Sequence, residues 1–486
     1  MLRKVIAKKT LILFILAIGT FLRFYRIQEN LVFNGEVGLD YLKIKDFVES
    51  GKLPLFGPQT SHPWFSIAPL FYWIFMLILP FGKFQPVVGA YFFAGIGVLG
   101  ILICYKTLSK LLDRKAGLIT SYLMAISPSW LSYTRASRYN FVATILFFPF
   151  IYFLVKSFED KGKSLLGLGL TLGLMFNFFP SPFVLIPVAL LIIFQKRKMI
   201  KRKYFWHGLG AFLLINTPYI IGIIEDRFVM LMKIIQWIPY RILGFFGLYS
   251  KNTLTSAILK ANFFSLYDFF KESFIVNDYL FSILLFIYVI LFLFLKFTQK
   301  KDKEKPFWRI LIITFTLGYL GLFLHGDPPK HYYFVIFPVP IIVLGSLFAD
   351  IAKSKAGMII SAVILLFITY KNFNYFFSDK WFYIPQDRVQ DGKLPVPYNL
   401  QVKIVDFIKN DAKGKMLSLK RVGELDHFNS DFAQNYLYLL ELEEIKTVSD
   451  SNLVYTIFED IEKIPSDTEG DITWISNIAV LREISY

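Results

Sequence analysis

Cysteine is almost absent from this sequence, and several common catalytic motifs are absent altogether. Cys104 is the single cysteine among 486 residues and lies within an apolar run, which excludes a disulfide framework and a thiolate metal site. No HExxH, CxxC or DxD pattern occurs, and the GKS sequence at 162–164 is not a P-loop because Ser157 replaces its first glycine. These absences disfavour zinc-protease and thiol-redox chemistry and transfer from a soluble nucleotide-activated sugar. No internal repeat is evident.

Long hydrophobic runs dominate what the sequence does contain. Hydrophobic residues make up 55% of the chain, which includes 54 phenylalanines. Runs of about 20 apolar residues are long enough to cross the hydrocarbon core of a bilayer as helices. We therefore predict an all-α polytopic membrane protein with about eleven transmembrane helices. The predicted spans are 10–25, 86–105, 116–134, 139–155, 165–179, 181–195, 207–224, 276–295, 309–325, 332–349 and 356–373.

The net charge of +17 comes mostly from short basic clusters between the apolar runs. This is the pattern of cytoplasmic loops rather than of a nucleic-acid-binding surface. With the predicted spans, every cluster falls on the side of the N-terminus, which has the basic start and apolar core of a retained signal anchor. We therefore predict a multi-pass cell-membrane protein with a cytoplasmic N-terminus and an external C-terminus. The clusters are 3–9, 106–115, 156–163, 196–203, 296–309 and 353–355.

The apolar segment 63–81 is excluded from the count of spans. Counting it would move every later basic cluster to the external side, which the positive-inside rule opposes. Prolines at 63, 69 and 80 also favour a short segment over a continuous crossing helix. We predict a helix at the outer membrane interface, with a full span of weakly specified topology as the alternative.

The composition of the chain changes after about residue 375. We predict a membrane domain at 1–375, with an external loop at 26–85, and an external soluble α/β domain at 376–486. The second part is more charged and alternates one helical segment, 399–411, with three strand-like segments. Those strand-like segments are 415–422, 452–460 and 478–485.

Two acids, Glu36 and Asp40, stand immediately beyond the first predicted span. They are four residues apart, so in a helix they share a face with Cβ atoms roughly 5–6 Å apart. Two carboxylates at that separation repel, which raises one pKa toward neutrality or recruits a cation. The alternative is a pair of solvated loop acids, and Lys43 is the neighbour that a plain surface helix would also have.

Cations stand at the external ends of two other predicted spans. Arg135 and Arg138 occur in SYTRASRYN, and Lys330 and His331 occur in KHYYFVIFP. Arginine binds phosphate oxygens in a bidentate fashion, so these residues together form a candidate site for a lipid phosphate. The alternative for each is anchoring to membrane headgroups. The candidate neighbours of this site are His62, Tyr139, Asn140 and Tyr332.

The order of these segments resembles that of a known family. The segments NGEVGLD, GKLPLFGPQTS, PLFYW, SYTRASRYN and KHYYFVIFPVP follow one another as in bacterial GT-C glycosyltransferases of the protein O-mannosyltransferase and aminoarabinose-transferase type, which are family 39-like. The resemblance covers roughly residues 1–375. It implies the GT-C fold, with juxtamembrane helices after the loop acid and near PLFYW.

The resemblance also implies an activity. Family members transfer a sugar from a polyprenyl-phosphate carrier to a protein, lipid or glycan acceptor on the outer face, with a loop acid as catalytic base. At the position of that acid stand Gly35 and Glu36, so Glu36 is the expected base, with Asp40 as its support or its replacement. No nucleotide or redox cofactor is required. A divalent metal is allowed, because some relatives carry a metal ligand where Ser61 and His62 stand here.

Two other classes of protein remain as alternatives. A transporter or flippase of lipid-linked glycans normally carries ionisable groups near the bilayer midplane, whereas the predicted spans have almost no acids away from their ends. A glycan polymerase or ligase normally has a large outer loop late in the chain, and the loop at 225–275 is sizeable. Both alternatives stay open on the sequence alone.

Overall fold

The structure is a computed structural model, and it is mostly helical. The residues that it describes are 2–60, 62, 64–195, 197–248, 253–275, 278–298, 304–324, 326, 330–378, 381–383, 396–423, 432–466 and 470–484.

Helices joined by short loops make up the membrane part of the chain. The first nine are α1 (Leu2–Phe24), α2 (Gly35–Ser50), α3 (Leu70–Phe81), α4 (Val87–Leu111), α5 (Arg114–Ile126), α6 (Pro128–Arg135), α7 (Phe141–Glu159), α8 (Leu165–Phe178) and α9 (Leu185–Gln195). The next eight are α10 (Arg202–Ile215), α11 (Thr217–Glu225), α12 (Val229–Phe245), α13 (Ser256–Phe274), α14 (Tyr279–Thr298), α15 (Lys305–Phe323), α16 (Pro338–Ile351) and α17 (Lys355–Phe376). Short 3₁₀ segments at Ser181–Val184 and Lys330–Val335 precede α9 and α16.

Several helices have the length and composition of membrane spans. Among the described residues, α4, α7, α14 and α17 are each long and apolar enough to cross a membrane, and α10 with α11 forms a fifth candidate that is bent by 64°. Every predicted span overlaps one helix or two consecutive ones. The chain is therefore a multi-pass helical membrane protein, as predicted. Shorter apolar helices are Thr10–Phe24, Leu70–Phe81, Leu165–Phe178, Ser181–Gln195 and Pro338–Ile351.

Two of the predicted spans are broken rather than continuous. The span at 116–134 divides into α5 and α6 at Pro128, which lacks the N–H needed to continue the helix. The carbonyls left free near the end of α5 are satisfied by Arg23 of α1, whose guanidinium donates to the carbonyl oxygens of Met124 and Ala125, each at 3.2 Å. The span at 207–224 divides in the same way at Asn216, immediately before α11, which has a proline in its first turn.

One set of helix ends meets on the side of the basic clusters. The Lys296 ammonium, at the end of α14, lies 2.7 Å from the Asp350 carboxylate near the end of α16. Lys115, near the start of α5, donates to the carbonyl of Ala352 at 3.0 Å. Three of the basic clusters, 106–115, 296–309 and 353–355, therefore meet on one side of the molecule.

Helix α13 lies in the opposite layer and does not cross. Near its end, the carbonyl of Phe274 accepts a hydrogen bond from Asn372, near the end of α17, at 2.7 Å. Near its start, Asn262 accepts from the hydroxyl of Tyr333 at 2.6 Å and donates to Gly326 at 2.6 Å. Both of these contacts of α13 are thus with segments on the side opposite the ion pairs of Lys296 and Lys115.

Helix α3 occupies the segment that was excluded from the predicted spans. Its 12 residues rise about 18 Å, which is well short of the roughly 30 Å hydrocarbon core. One side of the helix, which includes Phe71, Phe75 and Leu79, is buried. The helix is thus packed onto the protein at a length that agrees with an interfacial position.

The dinucleotide-like spacing of GIGVLG at 95–100 has no dinucleotide role. The segment lies inside α4, not at the turn from a strand to a helix that such a motif requires. A Cβ atom on Gly97 would lie 2.7 Å from Thr134 Cβ, so the glycine allows α4 and α6 to pack closely.

The C-terminal part is a small α/β domain, as predicted. It contains α18 (Tyr398–Ala412), α19 (Gln434–Leu442) and four strands in the order β1-β2-β4-β3. β1 and β2 are parallel, and the other two pairs are antiparallel. The predicted helix and three strands correspond to α18, β1, β2 and β4. The strands are β1 (Ser418–Val422), β2 (Leu453–Phe458), β3 (Asp471–Ile475) and β4 (Ile478–Ile484).

The α/β domain and the start of the membrane domain share one hydrophobic core. Phe33 and Tyr41 beside or in α2, and Phe75 in α3, belong to the same buried cluster as Tyr438 and Ile457 of the α/β domain. The predicted boundary between 375 and 376 falls within the last turn of α17. The two parts are therefore packed together around α2.

The orientation in the membrane is testable by cysteine labelling. We expect Lys52→Cys and Lys446→Cys to react with a membrane-impermeant maleimide on intact cells, and Lys110→Cys to react only after permeabilisation. All three side chains are exposed, whereas the native Cys104 is buried and gives a low background. Labelling of Lys110→Cys on intact cells without labelling of the other two would contradict both the charge argument and the count of spans.

Candidate functional site

The helix that carries the two acids is fixed at both ends. The side chain of Asn34 caps its start by accepting a hydrogen bond from the N–H of Val37 at 3.2 Å. Gly51 ends it in the left-handed conformation, with a φ of 66°, which favours glycine. Glu36 lies in the first turn, where a negative charge is favourable to the helix dipole.

The two acids lie on one face of α2, as predicted, in different environments. Glu36 is exposed, whereas Asp40 is half-buried. The hydroxyl of Tyr72 in α3 donates a hydrogen bond to the Asp40 carboxylate at 2.7 Å. Farther along the same face, the Phe47 ring packs against Tyr72 with centroids 5.8 Å apart. The acid face of α2 is therefore attached to α3.

Asp40 titrates close to neutrality. Burial raises the pKa of its carboxyl to about 7, and the charge of Glu36 adds to the increase. The hydrogen bond from Tyr72 and the charge of Lys43 act in the opposite direction without cancelling the effect of burial. The expected mutual influence of the two carboxylates is thus present, although burial is the larger cause.

Tyr139 connects the acids to a cation. Its ring packs on Phe71 of α3 with centroids 4.6 Å apart. It lies close enough to Asp40, Glu36 and Arg138 to interact electrostatically with each of them. The structure therefore brings together the predicted acids and one of the predicted cations.

His331 extends this group on the far side of Arg138. Burial lowers the pKa of its imidazole to about 4, and the positive charge of Arg138 contributes to the decrease. The ring packs edge-on against Phe179 and Tyr332, with centroids 6.0 and 4.9 Å away. The His331 imidazole is therefore neutral at physiological pH, which removes it from the predicted cations.

Asn140, a predicted neighbour of the site, and Lys330, a predicted cation, lie apart from these contacts. The Oδ1 atom of Asn140 is buried and has no hydrogen-bond partner among the described residues. Lys330 begins the 3₁₀ segment, but its side chain lies outside the described part of the chain.

Arg135 does not join Arg138. Its guanidinium is buried and donates to the carbonyls of Leu22, Arg23 and Tyr25 at 2.8, 3.0 and 2.8 Å, which caps the end of α1. It also lies over the Phe382 ring, 4.9 Å from the centroid. Packing against α1 thus engages the Nη1 atom, while the Nη2 atom is buried with no hydrogen-bond partner among the described residues. This position against α1 corrects the predicted grouping of the two arginines.

His62 lies in a separate, aromatic cluster on the same side of the molecule as the acids of α2. Its ring stacks on Trp64 at 5.6 Å and meets Trp237 of α12 edge-on at 5.3 Å. Burial lowers the pKa of its imidazole, and the charge of Arg241 adds to the decrease. The neighbouring Ser61 lies outside the described residues.

Arg241 in α12 is a cation that the sequence reasoning missed. Its guanidinium lies 5.1 Å from the centre of the Trp237 ring, and it interacts electrostatically with Tyr332. Its Nε atom is buried and has no hydrogen-bond partner within the described part of the chain. A sequence signal existed, because Arg241 is one of two cations in the otherwise apolar α12.

The described residues do not fit a metal ion. They include no group of three His, Cys, Asp or Glu side chains that could hold one. His62 lies among tryptophans rather than beside the acids of α2. The functional groups that the described residues place at the site are therefore carboxylates, hydroxyls and guanidinium groups.

Comparisons with known proteins add to this geometry. A family model described as dolichyl-phosphate-mannose-protein mannosyltransferase matches residues 61–221, which run from the loop before α3 into α11. None of the curated protein sequences matches this chain.

Solved structures share the fold along nearly the whole chain. ArnT from Cupriavidus metallidurans bound to undecaprenyl phosphate gives a TM-score of 0.61 at 10% identity, over 97% of this chain and 98% of ArnT. Its apo state gives 0.62, also at 10% identity, over 98% of both chains. The oligosaccharyltransferase AglB from Archaeoglobus fulgidus, with an inhibitory peptide and a dolichol-phosphate, gives 0.51 at 13% identity, over 90% of this chain but only 60% of AglB. The resemblance inferred from the sequence is confirmed, and this chain is a membrane protein with the fold of the GT-C glycosyltransferases.

Proposed function

We propose that this chain transfers a sugar from a polyprenyl-phosphate donor to an acceptor at the outer membrane face, with Glu36 as the general base. The observation that carries the proposal is the position of Tyr139, whose ring packs on Phe71, next to the Tyr72 that binds Asp40. Arg138 directly precedes Tyr139, and both acids are near enough to this tyrosine to interact with it electrostatically. A proton acceptor and an anion-binding group thus lie within reach of one another. Sugar transfer from a lipid phosphate requires both.

The two acids have different roles in this proposal. The acceptor hydroxyl or amine attacks the anomeric carbon, its proton passes to the Glu36 carboxylate, and the bond between that carbon and the phosphate oxygen breaks. Glu36 is exposed and accessible to an acceptor, whereas Asp40 is half-buried and engaged by Tyr72. A general base of this kind contributes typically about 10²–10⁴-fold to the rate. Asp40, which accepts a hydrogen bond from Tyr72 one helical turn away, orients the acceptor.

The cations stabilise the departing lipid phosphate. The bond that breaks leaves its electron pair on the phosphate, so negative charge grows there in the transition state. Arg138 is half-buried, and Arg241 has a buried Nε atom that lacks a partner among the described residues. His331, neutral between Arg138 and the aromatic rings, offers a further hydrogen bond.

The nature of the donor is supported by the similar proteins. The matching family model concerns dolichyl-phosphate-mannose, ArnT was solved with undecaprenyl phosphate, and AglB with a dolichol-phosphate. All three are polyprenyl phosphates or their derivatives. We extend this donor class to the present chain, with a protein, lipid or glycan as acceptor, a cytoplasmic N-terminus and an external α/β domain.

The general base is tested by two isosteric substitutions. Glu36→Gln should lower kcat by about 10²-fold or more, with the KM for the donor nearly unchanged, because it removes basicity while keeping shape. Asp40→Asn should reduce kcat less. Release of polyprenyl phosphate measures both. An inactive Asp40→Asn with an active Glu36→Gln would move the base to Asp40, and full activity in both would refute the proposal.

The pKa of Asp40 predicts a pH dependence of the rate. Since the ionised Asp40 carboxylate accepts a stronger hydrogen bond from the incoming acceptor than the protonated one, kcat/KM should rise as the pH increases through about 7. Asp40→Asn should lose this rise, because its side chain does not titrate. A pH–rate profile of both proteins checks this, and an identical profile for the two would contradict the role of Asp40.

Ionisation of Asp40, which should increase kcat/KM, should decrease the stability of the fold. The folded-state pKa, about 7, lies above the ordinary value of 3.8, so the native state holds the proton more tightly than the unfolded state. The stabilisation is complete below about pH 4 and is lost as the pH rises through about 7. The Tm of the wild type relative to Asp40→Asn should therefore fall across this interval. A constant difference in Tm would contradict the raised pKa.

Arg138 and Arg135 lie three residues apart and form a matched test of the phosphate site, with Arg135 as the control. Arg138→Gln and Arg241→Gln should raise the KM for the donor, or lower kcat where the contact forms only in the transition state, and should leave Tm nearly unchanged. Arg135→Gln should instead lower the stability by about 1–3 kcal/mol, because it leaves carbonyls at the end of α1 unsatisfied. Equal effects of Arg135→Gln and Arg138→Gln on the donor KM would contradict this division of roles.

A further inference from the structure

The helix that carries the acids has a second face, which contacts the α/β domain. Gly35, Gly38, Leu42 and Lys45 recur at spacings of three and four residues, so they share one side of α2. Glu36, Asp40, Lys43 and Phe47 recur in the same way on the opposite side. We refer to these as the glycine face and the acid face of α2.

The glycine face touches the backbone of the α/β domain directly. A Cβ atom on Gly38 would lie 2.4 Å from the N atom of Asn435, at the start of α19. A Cβ atom on Gly35 would lie 2.6 Å from the carbonyl oxygen of Phe432. Real Cβ atoms do not approach that closely, so only glycine allows α2 and α19 to sit at this separation.

Polar contacts fix the position of α2 along and across this interface. Gln401 of α18 donates to the carbonyl of Phe33, just before α2, at 2.8 Å, and accepts from Asn435 at 2.9 Å. The Lys45 ammonium lies 2.6 Å from the Glu441 carboxylate. Two of these contacts hold α2, one just before its start and one in its second half, and the bond between Gln401 and Asn435 joins α18 to α19.

The acid face is held from the other side by the membrane domain. Tyr72 of α3 binds Asp40, and the same ring packs on Phe47. Helix α2 is thus a layer between the two domains. A shift of α19 across the glycine face moves the acids relative to Tyr139 and Arg138, which belong to the membrane domain.

We propose that the α/β domain is a positioning domain, whose α19 sets the place of Glu36 and Asp40 through the glycine face of α2. The proposal rests on the proposed function, because positioning has meaning only if the acids react. It also gives the acceptor a direction of approach, since α19 covers the face opposite the acids and leaves Glu36 exposed. A displacement of about 1 Å at a reacting group can reduce a rate about 10²-fold, so a backbone contact of this kind is enough to control turnover.

A pair of glycine substitutions tests the proposal. Gly38→Ala adds the Cβ atom that would meet Asn435, whereas Gly95→Ala in α4 adds one that meets no atom within 4 Å among the described residues. Both changes replace a helical glycine and gain the same helix propensity, so any difference between them arises at the interface. The readouts are kcat and the KM values for donor and acceptor, with hydrogen–deuterium exchange of the peptide that contains α2.

We expect Gly38→Ala to reduce kcat by about 10-fold or more, with both KM values nearly unchanged, and to increase exchange in α2. Gly95→Ala should match the wild type in each readout. An unchanged kcat in Gly38→Ala, or a loss confined to the KM for the acceptor, would overturn the proposal. The second result would assign acceptor binding to the α/β domain instead.

A charge reversal covers the case in which Gly38→Ala fails to fold. In a Glu49→Gln background, which removes the second carboxylate 2.6 Å from Lys45, Glu441→Lys places two ammonium groups together and should lower kcat by several-fold. Lys45→Glu in the same chain should then restore it. The absence of rescue in a folded triple variant would count against positioning through this interface. Exchange in α2 reports the contact even if no sugar transfer is found, so a failure of the proposed function stays distinguishable from a failure of the positioning.

Discussion

The contact between the backbones of α2 and α19 at Gly38 is the constraint on which the arrangement of the site depends. It lets the glycine face lie against the α/β domain while Asp40, on the acid face, accepts a hydrogen bond from Tyr72. Two domains that differ in composition, one made of apolar helices and one of a mixed sheet, meet at this 16-residue helix. Further contacts lie beside it, such as the hydrogen bond from the Tyr438 hydroxyl to the Phe84 carbonyl. Because α2 is fixed on both sides, its acids face a defined set of groups in the membrane domain.

The charged residues discussed above form two layers of the molecule that differ in composition. One layer collects the basic clusters, with ion pairs such as Lys296 to Asp350 between the ends of spans. The other layer holds the acids of α2 and the cations Arg138 and Arg241. A buried cation without an acidic partner is costly, and the chain meets this cost for Arg135 with three backbone carbonyls. Among the described residues, Arg135 Nη2 and Arg241 Nε are both buried guanidinium nitrogens without a hydrogen-bond partner.

Sequence reasoning predicted the features that depend on local pattern. The spans, the short helix α3 and most of the α/β domain follow from apolar length, prolines, charge clusters and alternation. The spacing of Glu36 and Asp40 gave their shared face. It did not distinguish Arg135 from Arg138, because their roles are set by which guanidinium meets the end of α1, a tertiary contact. Arg241 and Tyr72 were missed for the same reason, and Gly38 acquires its role only once α19 lies against it.

The central claim is that the bond between the sugar and the lipid phosphate of the donor is broken. Detergent-solubilised protein allows the most direct measurement of this cleavage. In micelles there are no two compartments, so a transporter or flippase produces no chemical change, whereas a glycosyltransferase does. Purified protein is incubated with a panel of polyprenyl-phosphate sugars and candidate acceptors, and free polyprenyl phosphate is measured with the sugar on the acceptor. The account predicts both products in equal amounts for at least one donor. Intact donors across the panel, together with movement of the same donors across vesicle membranes, would contradict it.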